Sequence, residues 1–529
     1  MASSTTGDAG KATRPQPRDM AHHINKRVLN QAPSAMKAYG ALADSKPGLT
    51  SLAGANFFPL QHAHFTLPSF SSLSDVQSAM AGPAAAIHLD KSGDGPGPAG
   101  LMDLRTVLQY GLTKSYPQLV DRLIALNELL HGVPHSESAV TATLGNTDGV
   151  SKAMTLLVED GDIVLAEEFE FPASVNAGRA KGATFAPVPL DSEGIVPEAL
   201  DKILSEWDTK KGKKPHVLLT TPCGQNPTGC VSTPERMDAV YAVAQKHDLV
   251  IIEDDPYFPL QYAEYTSDAS KRSENLAKAR DSLPPLPSTP EKDDARAVAE
   301  AFKAHAGVES YLKRDVDGRV VRLDSFSKVF GPGIRLGWAS ASQQFVERLW
   351  RIGEVTTQTP NNMTQALLAS YLAEPSAIAA AAGGAAPEQG GWGLAGWLRW
   401  LHALRLSYEA KRDFFLDAFY RHVPQDIIST VPARGGMFQW LSVDLSKHPR
   451  YDGSNTRELI DELAESLMDA GVLVMPARLF VVESVPGERN DEKLAAFRAT
   501  FAGSEETIDK GLKLFGDEIR RWFAEGAKK

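Results

Sequence analysis

Between about residue 100 and 340 the chain alternates two hydrophobic periods. Short apolar, β-branched runs occur at Ile163-Val164-Leu165, Val217-Leu218-Leu219, Leu249-Val250-Ile251-Ile252 and Val320-Val321. Their length and composition fit strands buried on both faces. Between them Leu119, Leu123, Leu126 and Leu130 recur at helical spacing, and Gly132 supplies a stop. Val150, Met154, Leu157 and Val158 make a second stripe. A third helix opens at Thr233-Pro234, a cap followed by proline at the first helical position. Alternating strands and helices predict an α/β fold with a largely parallel sheet. Ligands in such folds gather beyond the carboxyl ends of the strands.

Two stretches break the alternation. Residues 264–305 are rich in Lys, Asp, Glu, Ser, Ala and Pro, and read as a solvated, partly disordered insertion. Residues 378–396 are Ala/Gly-rich and read as a flexible junction. After the junction, Trp397-Leu398-Arg399-Trp400-Leu401 and a long helix lead into a mixed α/β segment. The expected division is a disordered tail at 1–20, an N-terminal arm with part of a small domain at 21–95, a large domain at 96–375, and a smaller domain at 376–529.

Composition narrows the function class. The net charge of −11 argues against a general nucleic-acid binder. Two cysteines, Cys223 and Cys230, make neither a disulfide framework nor a zinc site, so a reducing, cytoplasmic setting and no metal are expected. The polar first twenty residues lack a signal-peptide core, and no apolar run is long enough to span a membrane.

Five clusters carry candidate chemistry. Asp324-Ser325-Phe326-Ser327-Lys328 follows a strand and precedes Gly331-Pro332-Gly333-Ile334-Arg335. It offers an amine nucleophile beside hydroxyls and a guanidinium suited to a phosphate. Glu253-Asp254-Asp255-Pro256-Tyr257 ends another strand, where a carboxylate can hold a pyridinium proton. Thr221-Pro222-Cys223-Gly224-Gln225-Asn226-Pro227-Thr228-Gly229 is a rigid turn presenting Asn226. Leu144-Gly145-Asn146-Thr147-Asp148-Gly149 starts a helix, a natural phosphate seat. Phe497-Arg498-Ala499-Thr500-Phe501 sets an arginine between aromatics, able to fork a carboxylate. Taken singly, each has a bland counterpart: a solvated lysine, a capping acid pair, a turn, a common helix start, a surface ion pair.

Together, and in their order along the chain from Leu144 to Phe501, the clusters resemble the class I/II aminotransferases of fold type I. Within these, the similarity is to the aromatic-amino-acid and kynurenine/α-aminoadipate enzymes. The resemblance runs from about residue 20 to 520. It implies a large, mostly parallel-sheet domain with a smaller α/β C-terminal domain, and pyridoxal 5′-phosphate as cofactor. Lys328 resembles the Schiff-base lysine and proton shuttle, and Asp254 the partner of the ring nitrogen. Asn226 and Tyr257 match the pair holding the ring's phenolic oxygen. Asn146, Thr147, Ser325, Ser327 and Arg335 would surround the phosphate, and Phe171 would stack on the ring. Tyr110 resembles a tyrosine reaching the partner subunit's phosphate, which implies a homodimer. Arg498, with Asn226 and Gly54, falls on the substrate side. The chain departs from these relatives at Ser34-Ala35-Met36-Lys37, where they often read S-P-I-R, and at Ser51-Leu52-Ala53-Gly54-Ala55-Asn56-Phe57. Lysine in place of an arginine shifts the expected substrate toward an aromatic amino acid and away from 2-aminoadipate or aspartate. The alternatives are a 2-aminoadipate aminotransferase and a lyase or decarboxylase on the same scaffold, and an aminotransferase-like transcription regulator is a remote one.

Overall fold

The computed structural model describes residues 46, 48–51, 107–108, 110–285, 294–307, 309–373, 392–483 and 491–525. Within these, the apolar runs form the strands β1 (Ser138–Thr143), β2 (Ile163–Glu167), β3 (Thr184–Val188), β4 (Val217–Thr220), β5 (Val250–Asp254), β6 (Val320–Ser325) and β7 (Gly337–Ser342). They make one sheet in the order β1-β7-β6-β5-β4-β2-β3. All neighbours are parallel except β7, which runs antiparallel to β1 and β6. β4, β5 and β6 are buried over nearly their whole length, which explains their unbroken apolar runs.

The helices fall where the stripes place them. α1 (Pro117–Leu130) buries Leu119, Leu123, Leu126 and Leu130, and Gly132 follows it with φ near 59°. α2 (Asn146–Leu157) buries Val150 and Met154 but ends before Val158, whose extended backbone takes it out of the predicted stripe. α3 (Pro172–Arg179) follows β2. α4 (Pro234–His247) starts as read: the Thr233 hydroxyl accepts from the Arg236 N–H at 3.2 Å.

The segment at 264–305 needs correction. It contains α5 (Ala269–Arg280), capped by Asp268, and α6 (Ala295–Ala306), capped by Asp294. Arg272 pairs with Asp417, and Phe302, Val298 and Ala299 of α6 are buried. Their support is α7 (Gly393–His422), which donates from Arg399 to the Pro284 carbonyl and from Arg405 to the Phe302 carbonyl. The polar composition misled because these helices dock through charged side chains and main-chain carbonyls as much as through apolar stripes. Part of the Pro-rich run, from 286 to 293, lies outside the described residues. Trp397–Leu401 belongs to α7 itself.

Beyond α7, β8 (Ile428–Ser429), β9 (Phe438–Val443), β10 (Met475–Pro476) and β11 (Ala496–Thr500) form a second, antiparallel sheet in the order β8-β9-β11-β10. It abuts the carboxyl ends of the large sheet. The link is visible at the bridge between Phe169 and Val481, and in the Glu170 N–H donating to the Phe480 carbonyl at 2.8 Å. Among the described residues, no helix is long and apolar enough to cross a membrane.

Candidate active site

Parallel strands end side by side, so the loops after β2, β4, β5 and β6 meet in one place. Lys328 lies in the tight turn after β6, where the Phe330 and Gly331 N–H groups both donate to the Phe326 carbonyl. The turn is braced from below by Trp400, whose Nε1 donates to the Val329 carbonyl at 2.7 Å. Lys328 itself is half-buried. Burial first, then the positive charges of Arg498 and Arg335, bring its ammonium down to about 8.

An anion seat adjoins it. Arg335 adopts left-handed backbone (φ 48°) and donates from Nη1 to Ser327 Oγ at 3.2 Å and from Nη2 to the Leu144 carbonyl at 2.9 Å. The Ser327 N–H donates to Ser325 Oγ at 3.0 Å. α2 begins here, with Gly145 as its cap and no capping side chain. Gly145 has φ 94°, and a Cβ there would lie 2.6 Å from Arg335 Nη2, so the position requires glycine. Thr147 is exposed in the first turn.

Asp254, the last residue of β5, is buried. It accepts from Asn146 Nδ2 at 2.8 Å and from Ser174 Oγ at 3.3 Å. Burial lifts its carboxyl to about 6, against the pull of those two donors. Glu167, at the end of β2, and Glu170, in the loop after it, stand on the far side of β4. Burial raises Glu167 to about 7, although Thr220, Gln225 and the Thr221 N–H hydrogen-bond it, and burial with the charges of Glu167 and Asp254 lifts Glu170 well above the usual carboxylate range. Glu253 and Asp255 turn to the other face of the sheet and pair with Arg322. Of the three consecutive acids, therefore, Asp254 alone joins Asn146.

Asn226 hydrogen-bonds the buried Tyr257 phenol, whose acidity is suppressed chiefly by burial. Asn226 Oδ1 also accepts from Arg498 Nη1 at 2.8 Å. Arg498 is buried in β11, its guanidinium between Phe438 at 4.2 Å and Phe480 at 4.9 Å. Gly224 of the Asn226 turn abuts Gly436 so closely that a Cβ on Gly224 would run into the Gly436 backbone; both have positive φ, 58° and 72°. Phe171 is half-buried at the start of α3. Tyr110 stands apart, 95% exposed, beside exposed Leu108 and Leu112. Gly54 and Lys37 lie outside the described residues.

The structure thus gathers Lys328, Asp254, Tyr257, Asn226, Asn146, Ser325, Ser327, Arg335 and Arg498. It adds Glu167, Glu170, Ser174, Phe438 and Phe480, which the motifs did not single out. One signal was available: Glu167 ends an apolar strand just as Asp254 does.

The chain matches the family Aminotransferase class I and II over residues 97–515. It is 33% identical to the L-tyrosine:2-oxoglutarate aminotransferase of Tapinella panuoides, covering 96% of this chain and 97% of that protein. An aromatic amino acid aminotransferase of Schizosaccharomyces pombe is 31% identical, over 96% of this chain and 99% of its own length. Among solved structures, the aminotransferase Aro8 of Candida albicans superposes with a TM-score of 0.73 at 30% identity, covering 97% of this chain and all of that one. The fold is that of the fold type I, pyridoxal-phosphate-dependent transferases. The chain belongs to the class I and II aminotransferases.

Proposed function

We propose that the protein transfers the amino group of an aromatic amino acid to a 2-oxo acid such as 2-oxoglutarate, using pyridoxal 5′-phosphate held at Lys328. The observation that carries this reading is that two guanidiniums with different surroundings both act on the Lys328 ammonium. Arg335 sits in the Ser327–Gly145 anion seat, and Arg498 sits between aromatic rings. One suits a phosphate and the other a substrate carboxylate.

The residues fit the cofactor. Asn146, Thr147, Ser325, Ser327 and Arg335 would hold the phosphate, and Phe171 would cover one face of the ring. Glycine at 145 leaves the close approach that the phosphate seat needs. Bound pyridoxal phosphate supplies a carbonyl for an amine and a ring that takes up the charge left when a proton departs from the adjacent carbon. Asp254 would hold the proton on the ring nitrogen, kept in place by Asn146 and Ser174. Asn226 and Tyr257 would orient the ring through its phenolic oxygen. Arg498, with Asn226 and Gly54, would fix the substrate α-carboxylate. The Lys328 amine, with its lowered basicity, would take a proton from the substrate α-carbon and return it to the cofactor carbon that bore the carbonyl.

The aromatic preference draws support from the tyrosine and aromatic-amino-acid relatives. The apolar frame of Phe438, Phe480, Phe169 and Trp440 around Arg498 supports it as well. We further read 96–375 as the large cofactor-carrying domain, 376–529 as the small one, the active unit as a homodimer, and the setting as cytoplasmic. The test is to incubate purified protein, tyrosine and 2-oxoglutarate and to assay glutamate and the 2-oxo acid product. Carbon dioxide or ammonia in place of glutamate would turn the reading to a decarboxylase or lyase.

A further inference from the structure

A polar layer behind the sheet takes no part in the chemistry above. On the face opposite Asp254, the fully buried Arg322 spans carboxylates from two adjacent strand ends. Its Nε and Nη2 donate to both oxygens of Asp324, at 2.9 and 2.7 Å. Its Nη1 lies 3.0 Å from Asp255 Oδ2 and 2.8 Å from Glu253 Oε1. Phe258 covers the guanidinium at 4.5 Å. Glu253 and Asp255 flank Asp254 in the chain, and Asp324 directly precedes Ser325. One cation therefore joins the segment that carries Asp254 to the segment that carries Lys328.

One guanidinium among three buried carboxyls leaves an excess of acid. Burial pushes Glu253, Asp255 and Asp324 upward, and Arg322 pulls them back. The Asp324 charge also acts through the sheet on Asp254, favouring its protonated form. We propose that Arg322 is a positioning residue for the reaction: it fixes the strand ends bearing Asp254 and Lys328 and, by neutralising Asp324 and Asp255, keeps Asp254 an anion for the cofactor's ring nitrogen. The proposal rests on the functional reading above. The other ionisable groups facing Asp254 are Glu167 and Glu170 across β4, and Tyr257 on its own loop. Those facing Arg322 are His131, which caps the end of α1, and Cys223 of the Asn226 turn.

Purified wild type, R322Q and D324N are titrated with pyridoxal 5′-phosphate from about pH 5 to about pH 8, with circular dichroism as a check on folding. In the wild type, affinity falls on the acid side as Asp254 protonates, centred near pH 6. R322Q moves that midpoint up and D324N moves it down, each by about one unit. General loosening of the fold does not produce shifts of opposite sign. R322K keeps the charge but loses the two-pronged fork, so it retains the wild-type midpoint with weaker binding; should R322Q not fold, R322K and D324N decide. Midpoints that do not move, or that move the same way, overturn the proposal. Wild-type protein that does not bind pyridoxal phosphate would instead overturn the functional reading beneath it.

Discussion

Arg498 Nη1 donates to Asn226 Oδ1 at 2.8 Å, joining a strand of the smaller sheet to the turn after β4. The guanidinium is buried and caged by Phe438 and Phe480, so it is oriented before any carboxylate arrives. R498K keeps a charge but loses the fork and the stacking. It should raise the KM for the amino acid by on the order of a hundredfold and leave cofactor affinity nearly unchanged. An unchanged KM in steady-state kinetics would remove Arg498 from the substrate side.

Lys328 should carry the cofactor. Borohydride reduction followed by peptide mass mapping is expected to find the adduct on this residue. K328A should lose nearly all turnover yet still bind pyridoxal phosphate through the anion seat. An adduct on another lysine would sink the assignment.

The lowered basicity of Lys328 has a kinetic sign. Only the neutral amine attacks a carbonyl, so the rate of pyridoxal phosphate capture should rise with pH, reach half its limit near 8 and level off above that. An ordinary lysine would keep gaining toward 10.5. Stopped-flow absorbance across this range distinguishes the two.

Asp254 and Asp255 are adjacent but face opposite ways. D254N should cut kcat by roughly a thousandfold, because the ring nitrogen loses its counter-charge. D255N should do much less, since its carboxyl serves Arg322 behind the sheet. Equal losses would mean that the strand end has been misread.

Tyr110 is almost wholly exposed, and Leu108, Leu112 and Val355 are exposed near it in the chain or at the surface. Such a patch is what a second copy would cover. Sedimentation should show a dimer at working concentration, and Y110F should weaken cofactor binding. An active monomer would refute the shared site.

For substrate, kcat/KM for tyrosine, phenylalanine, tryptophan and kynurenine should exceed that for 2-aminoadipate and aspartate, each with 2-oxoglutarate. A preference for either acidic substrate would reverse the specificity argument and direct attention to K37R.

Much of this was legible in the chain because burial leaves a periodic trace. The runs at Ile163, Val217, Leu249 and Val320 became adjacent strands, and their C-terminal ends became the site. The family resemblance singled out Asp254 over Asp255, and the two side chains do face opposite ways. Spacing does not record what sits across a sheet. Ser174 reaches Asp254 from a helix eighty residues earlier, and Arg322 meets carboxylates from two strand ends. A charged residue inside a buried strand was the available sign that carboxylates awaited it. The helices at 269–280 and 295–306 were hidden because their capping aspartates and charged faces look the same as those of solvated coil.

The meeting of Gly224 with Gly436 has a mechanical consequence. The turn bearing Asn226 and the loop leading into β9 touch backbone to backbone, with no side chain between them to compress or repack. The spacing between the two sheets is thereby gauged to less than the width of a methyl group. An alanine at either position would act as a shim, lifting the strand pair that carries Arg498 away from Asn226.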